Sequence, residues 1–495
     1  MSATIRITAR CGLLLAAVIG RAIGTEAAQP GIAGVTHGAV DLSIPPSTPT
    51  GQIWRYGLGM PLQLDATTVG LLANIRRNGT PYGDFEVGTD LVMFDSLSSV
   101  NTSRLVPISR PTFEKNPITG VSSITAKYPV SGGFVPFGAV FASNSSLHPY
   151  GGTGFGISEV AFYPDDFQLP LPPENQLGYR LEVQQFQYNG SQFTASPPVR
   201  LEQWSVGGAG WEIKSPGLSP AIPDGNDLLM AVTCANTGVG DASVAGVARF
   251  QYGTSGWQPT SFAPITDTGA TWWEPSLIRD VDGSLLFSAR NPHVNGMGDI
   301  PLWRSSDGGQ GWDQVFFLKG ARTGTPLVLN QAADGTPYFA TNTAVGTDRN
   351  ILQVVPLNAD RSGLESAITV RNGSGEFGAA PGGYDWKVDH GIGNVVRLAD
   401  GQWHEILAYR VLGQGENYGH SASPHTGLHV EEVVSLSDPR PMGLIFVPEP
   451  SSVVLLQLAA AGILGYILMR VRRGNVGTMS FASHHPGGCH FAFAD

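Results

Sequence analysis

The sequence predicts an all-β fold, a six-bladed β-propeller, and three observations lead to that prediction. The 495 residues include 64 glycines and 36 prolines, which interrupt helices and exclude a helical bundle. Apolar, strand-like runs flank Asp-Gly dipeptides, which favour hairpin turns because those turns need a positive φ. No long amphipathic helical pattern separates the runs, and a hydrophobic content of 42% supplies a large core.

Four segments share this plan of strand, Asp-Gly turn and strand. They run from Ser219 to Val232, from Glu274 to Arg290, from Thr325 to Asn342 and from Asn394 to Arg410. Their Asp-Gly dipeptides begin at positions 224, 282, 334 and 400, a spacing that suits one four-stranded blade per repeat. Two weaker copies, Leu71 to Phe85 and Phe137 to Phe155, bring the expected number of blades to six. A multi-sheet sandwich is the structural alternative.

The two ends of the chain differ in composition from this body. Arg6 and Arg10 precede an apolar run and then small residues, the pattern of a secretory signal peptide. Near the other end, an uncharged segment is long enough to cross a bilayer and precedes three arginines. We therefore expect a signal peptide at 1–28, a Pro-rich linker at 29–50, the propeller at 51–440, a stalk at 441–452, a transmembrane helix at 453–469 and a basic cluster with a cytoplasmic tail at 470–495.

The C-terminal segment has three parts in a fixed order. Val447-Pro448-Glu449-Pro450 is followed by the apolar segment and then by Arg470, Arg472 and Arg473. This order resembles the PEP-CTERM sorting signal of bacteria. The resemblance implies export to the cell envelope and processing by a sorting transpeptidase near the Pro-Glu-Pro motif. Residues 474–495 continue past the point where the family's signal ends, so a single-pass anchor that stays uncleaved is the alternative.

Charge and cysteine content exclude several partners. The formal net charge is −11 and no basic stripe is present, so nucleic acid is not an expected partner. Outside the two ends, Cys234 is the only cysteine. No histidine, cysteine or carboxylate cluster has a reliable metal-ligand spacing. We predict neither a metal nor a cofactor.

One short motif, Ser305 to Trp312, predicts a particular turn. It fits the pattern S-x-D-x-G-x-x-W. We expect the Asp307 carboxylate to accept backbone N–H groups, Gly309 to allow the dihedral angles, and the tryptophan to pack between blade strands. The motif resembles the Asp-box of sialidase-type (BNR) propellers, where it is structural rather than catalytic. Gly311 departs from the family pattern, which usually has threonine there.

The stretch before this motif extends the resemblance to sialidases. Glu274 opens a strand, Asp282-Gly283 turns the chain, and Arg290 closes the paired strand, in the order of the central blade of those enzymes. The resemblance implies that Glu274 activates a nucleophile and that Arg290 binds the carboxylate of an acidic sugar. The family's Arg-Ile-Pro opening and its nucleophilic tyrosine have no match in this chain.

Further candidate residues come from the same comparison. Asp389 and His390 stand where the family has its tyrosine, and we predict that they act in catalysis with Glu274. The residues predicted to bind substrate beside Arg290 are Arg322, Arg410 and His293. Each candidate also has a plainer interpretation: a solvated turn residue, a histidine satisfied by its own turn, or an ion pair such as that of Arg290 with Glu274 or Asp299.

The function expected from these features is that of an exported, envelope-anchored propeller that binds a terminal acidic sugar of a glycan. Hydrolysis of that sugar is left open, because the family's active-site set is incomplete. The acidic body favours a single sugar over a polyanion. The alternative is a non-catalytic propeller, an adhesion, scaffold or carbohydrate-binding module. A third hypothesis is a glycosidase that uses Glu274 and Asp389 as paired carboxylates.

Overall fold

The fold is known from a computed structural model. It describes residues 30–36, 40–41, 54–77, 86–102, 104–110, 112–116, 123–128, 152–164, 177–201, 210–236, 243–267, 271–290, 297–323, 325–342, 349–380, 386–413 and 425–439. The predicted signal peptide, stalk, transmembrane helix and basic tail lie outside these residues. Within the described ranges, no helix has the length and apolar character needed to span a bilayer.

Six antiparallel sheets make up the described part of the chain, and each is one blade of a propeller. Blade 1 contains β3 (Trp54–Gln63), β4 (Val69–Arg77), β5 (Glu86–Phe94) and β6 (Arg104–Ser109), with a 3-10 helix at Leu97–Thr102. Blade 2 contains β7 (Thr112–Lys115), β8 (Ile124–Tyr128), β9 (Thr153–Pro164), β10 (Gly178–Tyr188), β11 (Phe193–Ala195) and β12 (Val199–Arg200). Blade 3 contains β13 (Trp211–Pro216), β14 (Ile222–Asp224), β15 (Asp227–Asn236), β16 (Ser243–Gly253) and β17 (Gly256–Pro264).

The second half of the ring is more regular. Blade 4 contains β18 (Trp273–Arg279), β19 (Leu285–Arg290), β20 (Met297–Ser305) and β21 (Asp313–Thr323). Blade 5 contains β22 (Val328–Gln331), β23 (Pro337–Thr341), β24 (Ile351–Pro356) and β25 (Ile368–Asn372), followed by the short helix α1 (Gly373–Phe377). Blade 6 contains β26 (Trp386–Arg397), β27 (Trp403–Gly413) and β28 (Gly427–Ser435), joined by β1 (Ile32–Val35) and β2 (Val40–Asp41). The prediction of an all-β, six-bladed propeller is confirmed.

The first strands of the blades lie next to one another around the axis. Strand β18 packs against β22, β22 against β26, and β26 against β3. Because neighbouring first strands run in the same direction, each blade has one edge where its first strand begins and its second strand ends. We call this the upper edge, and the opposite one the lower edge.

The four predicted Asp-Gly turns lie on the lower edge, between β14 and β15 in blade 3 and between the first and second strands in blades 4 to 6. Their glycines have φ values of 63° at Gly225, 88° at Gly283, 90° at Gly335 and 80° at Gly401. A side chain at such an angle would strain the backbone, which explains why glycine follows aspartate at each turn. The hairpins predicted from these dipeptides are confirmed.

The ring is closed by a strand from the N-terminal part of the chain. Strand β1 pairs with β28 and is thereby the outermost strand of blade 6, and β2 pairs with the same strand. Residues 29–50, expected to be a linker, thus contribute two strands to the propeller. The first and last strands of the fold belong to one blade.

Buried polar contacts join neighbouring blades. Arg361 of blade 5 donates from Nε and Nη2 to the Asp280 carboxylate of blade 4, at 2.9 and 2.8 Å. Tyr338 of blade 5 donates to Glu405 of blade 6 at 2.6 Å, and both side chains are fully buried. Burial raises the pKa of Glu405 well above its usual value, although the tyrosine hydrogen bond opposes the shift. The blade interfaces therefore combine apolar packing with paired polar groups.

Candidate functional site

Strand β18 of blade 4 begins with a β-bulge at the upper edge. Trp273 pairs with Arg290 on β19, and then Glu274 and Pro275 together face a single residue of β19 before regular pairing resumes. Proline suits this position because a residue outside the ladder needs no hydrogen bond from its nitrogen. A bulge changes the direction of the side chain it carries, and here that side chain is the carboxylate of Glu274.

Strand β26 of blade 6 has the same irregularity at the same height. Asp389 pairs with Arg410 on β27, and then His390 and Gly391 together face a single residue of β27. A Cβ on Gly391 would lie only 2.7 Å from the Cβ of Ala340 in blade 5, so this position of the bulge is too crowded for a side chain. The side chain that the bulge presents is therefore the imidazole.

Glu274 and His390 occupy equivalent places in the two bulges, and both have a left-handed backbone. Their φ values are 49° and 54°. Among the described residues, four that are not glycine have a positive φ: Glu274, Arg349, Arg361 and His390. That conformation costs an L-residue about 1–2 kcal/mol. Such strain persists where the surroundings hold it in place, and it concentrates at functional sites.

Hydrogen bonds across blade 5 hold the two bulges close to each other. Ser276 Oγ accepts from the backbone N–H of Leu329 at 2.9 Å, which ties β18 to β22. Asn330 donates from Nδ2 to the carbonyl of Gly391 at 3.0 Å and accepts from Gly393 N at 2.8 Å, which ties β22 to β26. The inner strands of three blades thus keep a fixed register.

Glu274 contacts two side chains in this arrangement. Its Oε2 lies 2.9 Å from Nη1 of Arg290, and its Oε1 lies 4.0 Å from Nε2 of His390. Although the Glu274–Arg290 distance is short, the N–H direction is wrong for a hydrogen bond. Neither Nε nor Nη1 of Arg290 has a hydrogen-bond partner among the described residues. Arg290 is 6% exposed, so these buried donors are suited to an anionic ligand.

Asp389 is the centre of the second half of the site. It is 0% exposed and accepts from Arg410 Nε at 2.6 Å, from Arg349 Nη1 at 2.9 Å and from His390 Nδ1 at 2.8 Å. Burial alone would raise the pKa of Asp389. The neighbouring Arg410, His390 and Arg349 outweigh burial and hold that pKa well below its usual value. Asp389 is therefore an ionised acceptor at neutral pH.

His390 stands between the two carboxylates. Burial lowers the pKa of His390 below its usual value, although Asp389 opposes the shift, so the ring is neutral at pH 7. With Asp389 accepting at Nδ1, that nitrogen carries the proton and Nε2 is the basic nitrogen on the side of Glu274. An imidazole oriented by a buried carboxylate can take a proton from a hydroxyl group or water, provided the reacting group reaches Nε2.

Among its described residues, this cluster contains three arginines, Arg290, Arg349 and Arg410, and two carboxylates, Glu274 and Asp389. Arg349 is not among the predicted site residues, because it precedes β24 in a segment without a repeat signal. Its side chain is 22% exposed, so it is the arginine of the three most open to solvent. Among the described side chains, no group of three or more His, Cys, Asp or Glu residues could hold a metal ion.

Five of the predicted site residues come together in the structure. Glu274, Arg290, Asp389, His390 and Arg410 form one chain of contacts at the upper edge. Their catalytic and substrate-binding roles stay predictions. Arg410 is 1% exposed and its described contacts go to Asp389, so those contacts support a role in holding that carboxylate.

Two other candidates are less well defined. The backbone of Arg322 lies near the end of β21, opposite Gly298 of β20, and so reaches the upper edge of blade 4. The side chain of Arg322 and the whole of His293 lie outside the described residues.

The turn at Ser305–Trp312 has the geometry that the motif predicts. Asp307 Oδ1 accepts from the backbone N–H groups of Gln310 and Gly311 at 2.9 Å, and Ser305 Oγ donates to it at 2.7 Å. Gly309 has a φ of 94°, and the Trp312 ring lies 5.8 Å from the ring of Phe287. The turn joins β20 to β21 at the lower edge, so it stands apart from the charged cluster.

The left-handed backbone at His390 predicts an unusual order of stability for two variants. Replacing His390 by alanine or by glycine removes the same side-chain contacts, while Asp389 keeps both arginines. We expect His390→Gly to be more stable than His390→Ala by about 1 kcal/mol in urea unfolding, because glycine relieves the positive φ. At Lys387, an ordinary position of the same strand, glycine should instead be the less stable of the two. A less stable glycine variant at both positions would argue against backbone strain.

Comparisons with known proteins add little to this picture. No protein-family model matches the chain, and no curated protein matches it. A solved structure of a Dyadobacter fermentans protein of unknown function is similar, with 12% identity, a TM-score of 0.46, and coverage of 83% of this chain and 100% of that chain.

Two sialidases are also among the similar structures. Trypanosoma rangeli sialidase has 12% identity and a TM-score of 0.43, and the match covers 77% of this chain and 55% of that chain. A Hadza microbial sialidase has 12% identity and a TM-score of 0.44, with coverage of 77% and 66%. The chain thus spans about half to two thirds of these sialidases. The propeller assignment rests on the strand order of the six sheets.

Proposed function

We propose that the upper-edge cluster binds the acidic terminal sugar of a glycan and hydrolyses its glycosidic bond. The observation that supports this proposal is the meeting of Glu274 and His390. Two bulges in separate blades present them in strained conformations, 4.0 Å apart and buried beside Arg290. Strain, burial and convergence of titratable groups together are typical of a catalytic or binding site.

Recognition of the sugar acid is assigned to the arginines. A carboxylate fits the planar fork of a guanidinium, and Arg290 has buried donors without hydrogen-bond partners among the described residues. Arg349 supplies a second cation near the solvent side. The chain has a net charge of −11, which favours a monoanionic sugar over a polyanionic chain.

The proposed chemistry begins with proton transfer to His390. Its Nε2 takes a proton from water as the water oxygen bonds to the anomeric carbon, and the bond from that carbon to the glycosidic oxygen breaks. The leaving oxygen, on the opposite face of the sugar ring, takes a proton from solvent, and the imidazolium releases its own proton to solvent. Asp389 stabilises the imidazolium, and Glu274 stabilises positive charge that develops on the sugar ring. In this scheme Asp389 orients the histidine instead of acting as an acid, because three cationic or hydrogen-bonding partners hold it ionised.

A binding function without catalysis is the second candidate. Within the described residues, the contacts of Glu274 go to Arg290 and His390, and neither is a tyrosine hydroxyl. The nucleophile expected from the resemblance is thus missing from these contacts. A carbohydrate-binding or adhesion module would need only the arginines.

Export and anchoring belong to the proposal as well. They rest on the signal-peptide pattern at 1–28 and on the C-terminal order of Pro-Glu-Pro, apolar segment and arginines. Strand β28 ends at the lower edge, opposite the cluster. Fractionation of cells that express the chain with and without residues 441–495 tests the anchor, and identical membrane retention would reject it.

Two substitutions separate binding from catalysis in this cluster. Glu274→Gln should lower the rate of hydrolysis of an aryl sialoside by about a hundredfold or more while sugar binding persists. Arg290→Met should weaken sialic acid binding by about 10- to 100-fold, because a charge-assisted hydrogen bond contributes about 1.5–3 kcal/mol. Calorimetry and a fluorogenic assay measure the two effects. Arg397→Met, at the lower edge of blade 6, is the matched control and should change neither.

The outcomes distinguish the two candidates. Binding that depends on Arg290, without turnover by the unmodified protein, would leave only the carbohydrate-binding function. If the unmodified protein binds no sialic acid, the proposal as a whole fails.

A further inference from the structure

One aromatic side chain at the upper edge stays largely exposed. Trp273 is 43% exposed. Among the described residues, it is the one tryptophan whose side chain is largely exposed to solvent. Its neighbour Trp272 is buried, donates to Asp267 at 3.1 Å and packs edge-on against Trp303 at 5.7 Å. The strand thus directs one indole into the core and the next one into solvent.

The exposed indole is held in place by the charged cluster. Arg290 pairs with Trp273 across β18 and β19, and its guanidinium carbon lies 5.3 Å from the centre of the indole ring. The same guanidinium contacts Glu274, which in turn faces His390. A continuous path of contacts therefore leads from the exposed ring to the buried part of the site. A cation–π contact keeps the ring in one orientation without covering it completely.

We propose that Trp273 is the platform for a neutral sugar ring, the second unit of a glycan whose acidic end is bound at Arg290. This inference rests on the proposed function, because the acidic sugar is what brings the second ring to the indole. A pyranose has an apolar face of C–H groups, and a rigid, half-exposed indole offers a flat apolar partner with little ordering cost. The ligand class is thus an acidic sugar linked to a neutral hexose.

A purely structural role for Trp273 is the competing interpretation. In that case the indole ring only orients Arg290, and loss of the ring would weaken the binding of every anionic ligand to the same degree. A platform instead contributes only when the second ring is present. The two roles can therefore be separated by the ligand that is used.

The test compares two ligands on the full-length protein by calorimetry. They are the methyl glycoside of sialic acid and a thio-linked sialyllactose, which resists hydrolysis. We expect sialyllactose to bind about tenfold more tightly. Trp273→Ala should abolish this difference and leave the affinity for the methyl glycoside within about threefold, whereas Trp273→Phe should keep most of it. Phe317→Ala, which removes another exposed aromatic of blade 4, is the control and should change neither affinity.

Each contrary result has its own meaning. Equal binding of the two ligands by the unmodified protein, or an unchanged preference in Trp273→Ala, would overturn the platform. An equal loss for both ligands in Trp273→Ala would establish the structural role and overturn it too. If the methyl glycoside does not bind, the proposed function fails. In that case, binding of lactose that depends on Trp273 would still support the platform. If lactose does not bind either, the platform and the proposed function are both overturned.

Discussion

Replacing Asp389 by asparagine is expected to destabilise the protein by about 3–5 kcal/mol at pH 7. The reason is the loss of a buried ion pair, because Asp389 is 0% exposed and accepts from Arg410 Nε at 2.6 Å and from Arg349 Nη1 at 2.9 Å. Breaking a buried ion pair from one side is strongly destabilising. A loss of this size is a large part of the total stability of an ordinary domain. Urea unfolding, followed by tryptophan fluorescence, measures it.

Two controls locate the effect in the buried pair. Asp400→Asn removes a carboxylate at the lower edge that is exposed to solvent, and its stability should hardly change. The double variant Asp389→Asn/Arg410→Met should be more stable than the sum of the single losses predicts, because it removes both charges. A small loss in Asp389→Asn at neutral pH would contradict a strong contribution of this buried pair.

The same residue predicts a pH dependence with a definite sign. Because the pKa of Asp389 is depressed in the fold, its contribution is fully present above its unfolded value of about 3.9. The contribution is lost as the pH falls from there towards the folded value. In the His390→Ala background, which removes the neighbouring side chain that also titrates on acidification, the stability difference caused by Asp389→Asn should therefore be constant from pH 7 to about pH 5 and shrink below about pH 4. A difference that grows on acidification would contradict the ionised state.

The propeller could be predicted because its signal is local. Each Asp-Gly dipeptide lies between two apolar runs, and a turn of this kind is specified by its own few residues. The spacing of the turns then determines the size of a blade. The motif at Ser305–Trp312 is equally local, and its hydrogen bonds form within the motif itself. Short-range physics of this type can be worked out from one sequence.

The candidate site could be predicted only in part, since its contacts are long-range. Glu274 and Arg290 lie in one hairpin, so their pairing follows from the repeat. The approach of His390 to Glu274 depends on two bulges in blades 4 and 6 and on the bonds through blade 5 that align them. Arg349 reaches Asp389 from a turn with no repeat signal. Nothing in the residue types of these segments specifies such distances before the ring is closed.

The closing strand could not be predicted for the same reason. Ile32–Val35 is four residues long, too short for a convincing strand pattern, and it lies in the segment 29–50, whose prolines favour a linker. Its partner β28 lies about 400 residues later in the chain, and the pairing exists only once the ring is complete. Residues 32–35 form a strand because they pair with the edge of β28, and not because of their own composition.

Removing this strand should have the second large effect on stability. A chain that begins at residue 42 lacks β1 and β2, whereas one that begins at residue 30 retains both. We expect the shorter chain to lose about 5 kcal/mol relative to the longer one, from burial of Ile32 and several hydrogen bonds of about 1 kcal/mol each. These include Thr36 N to the carbonyl of Glu432 at 3.0 Å and Gly31 N to Asp334 at 2.9 Å. Thermal unfolding and size-exclusion chromatography measure stability and association.

The shorter chain should also aggregate, because β28 would become an open edge that bears Val433 and Val434. A synthetic peptide of residues 30–41 should restore part of the lost stability in a concentration-dependent manner, since it would fill the same edge. Ile32→Ala in the longer chain isolates the side-chain contribution, expected at about 2–4 kcal/mol. If the chain that begins at residue 42 melts at the same temperature as the longer one, blade 6 is stable with three strands. Closure of the ring would then depend on β26 packing against β3 instead of on the N-terminal strand.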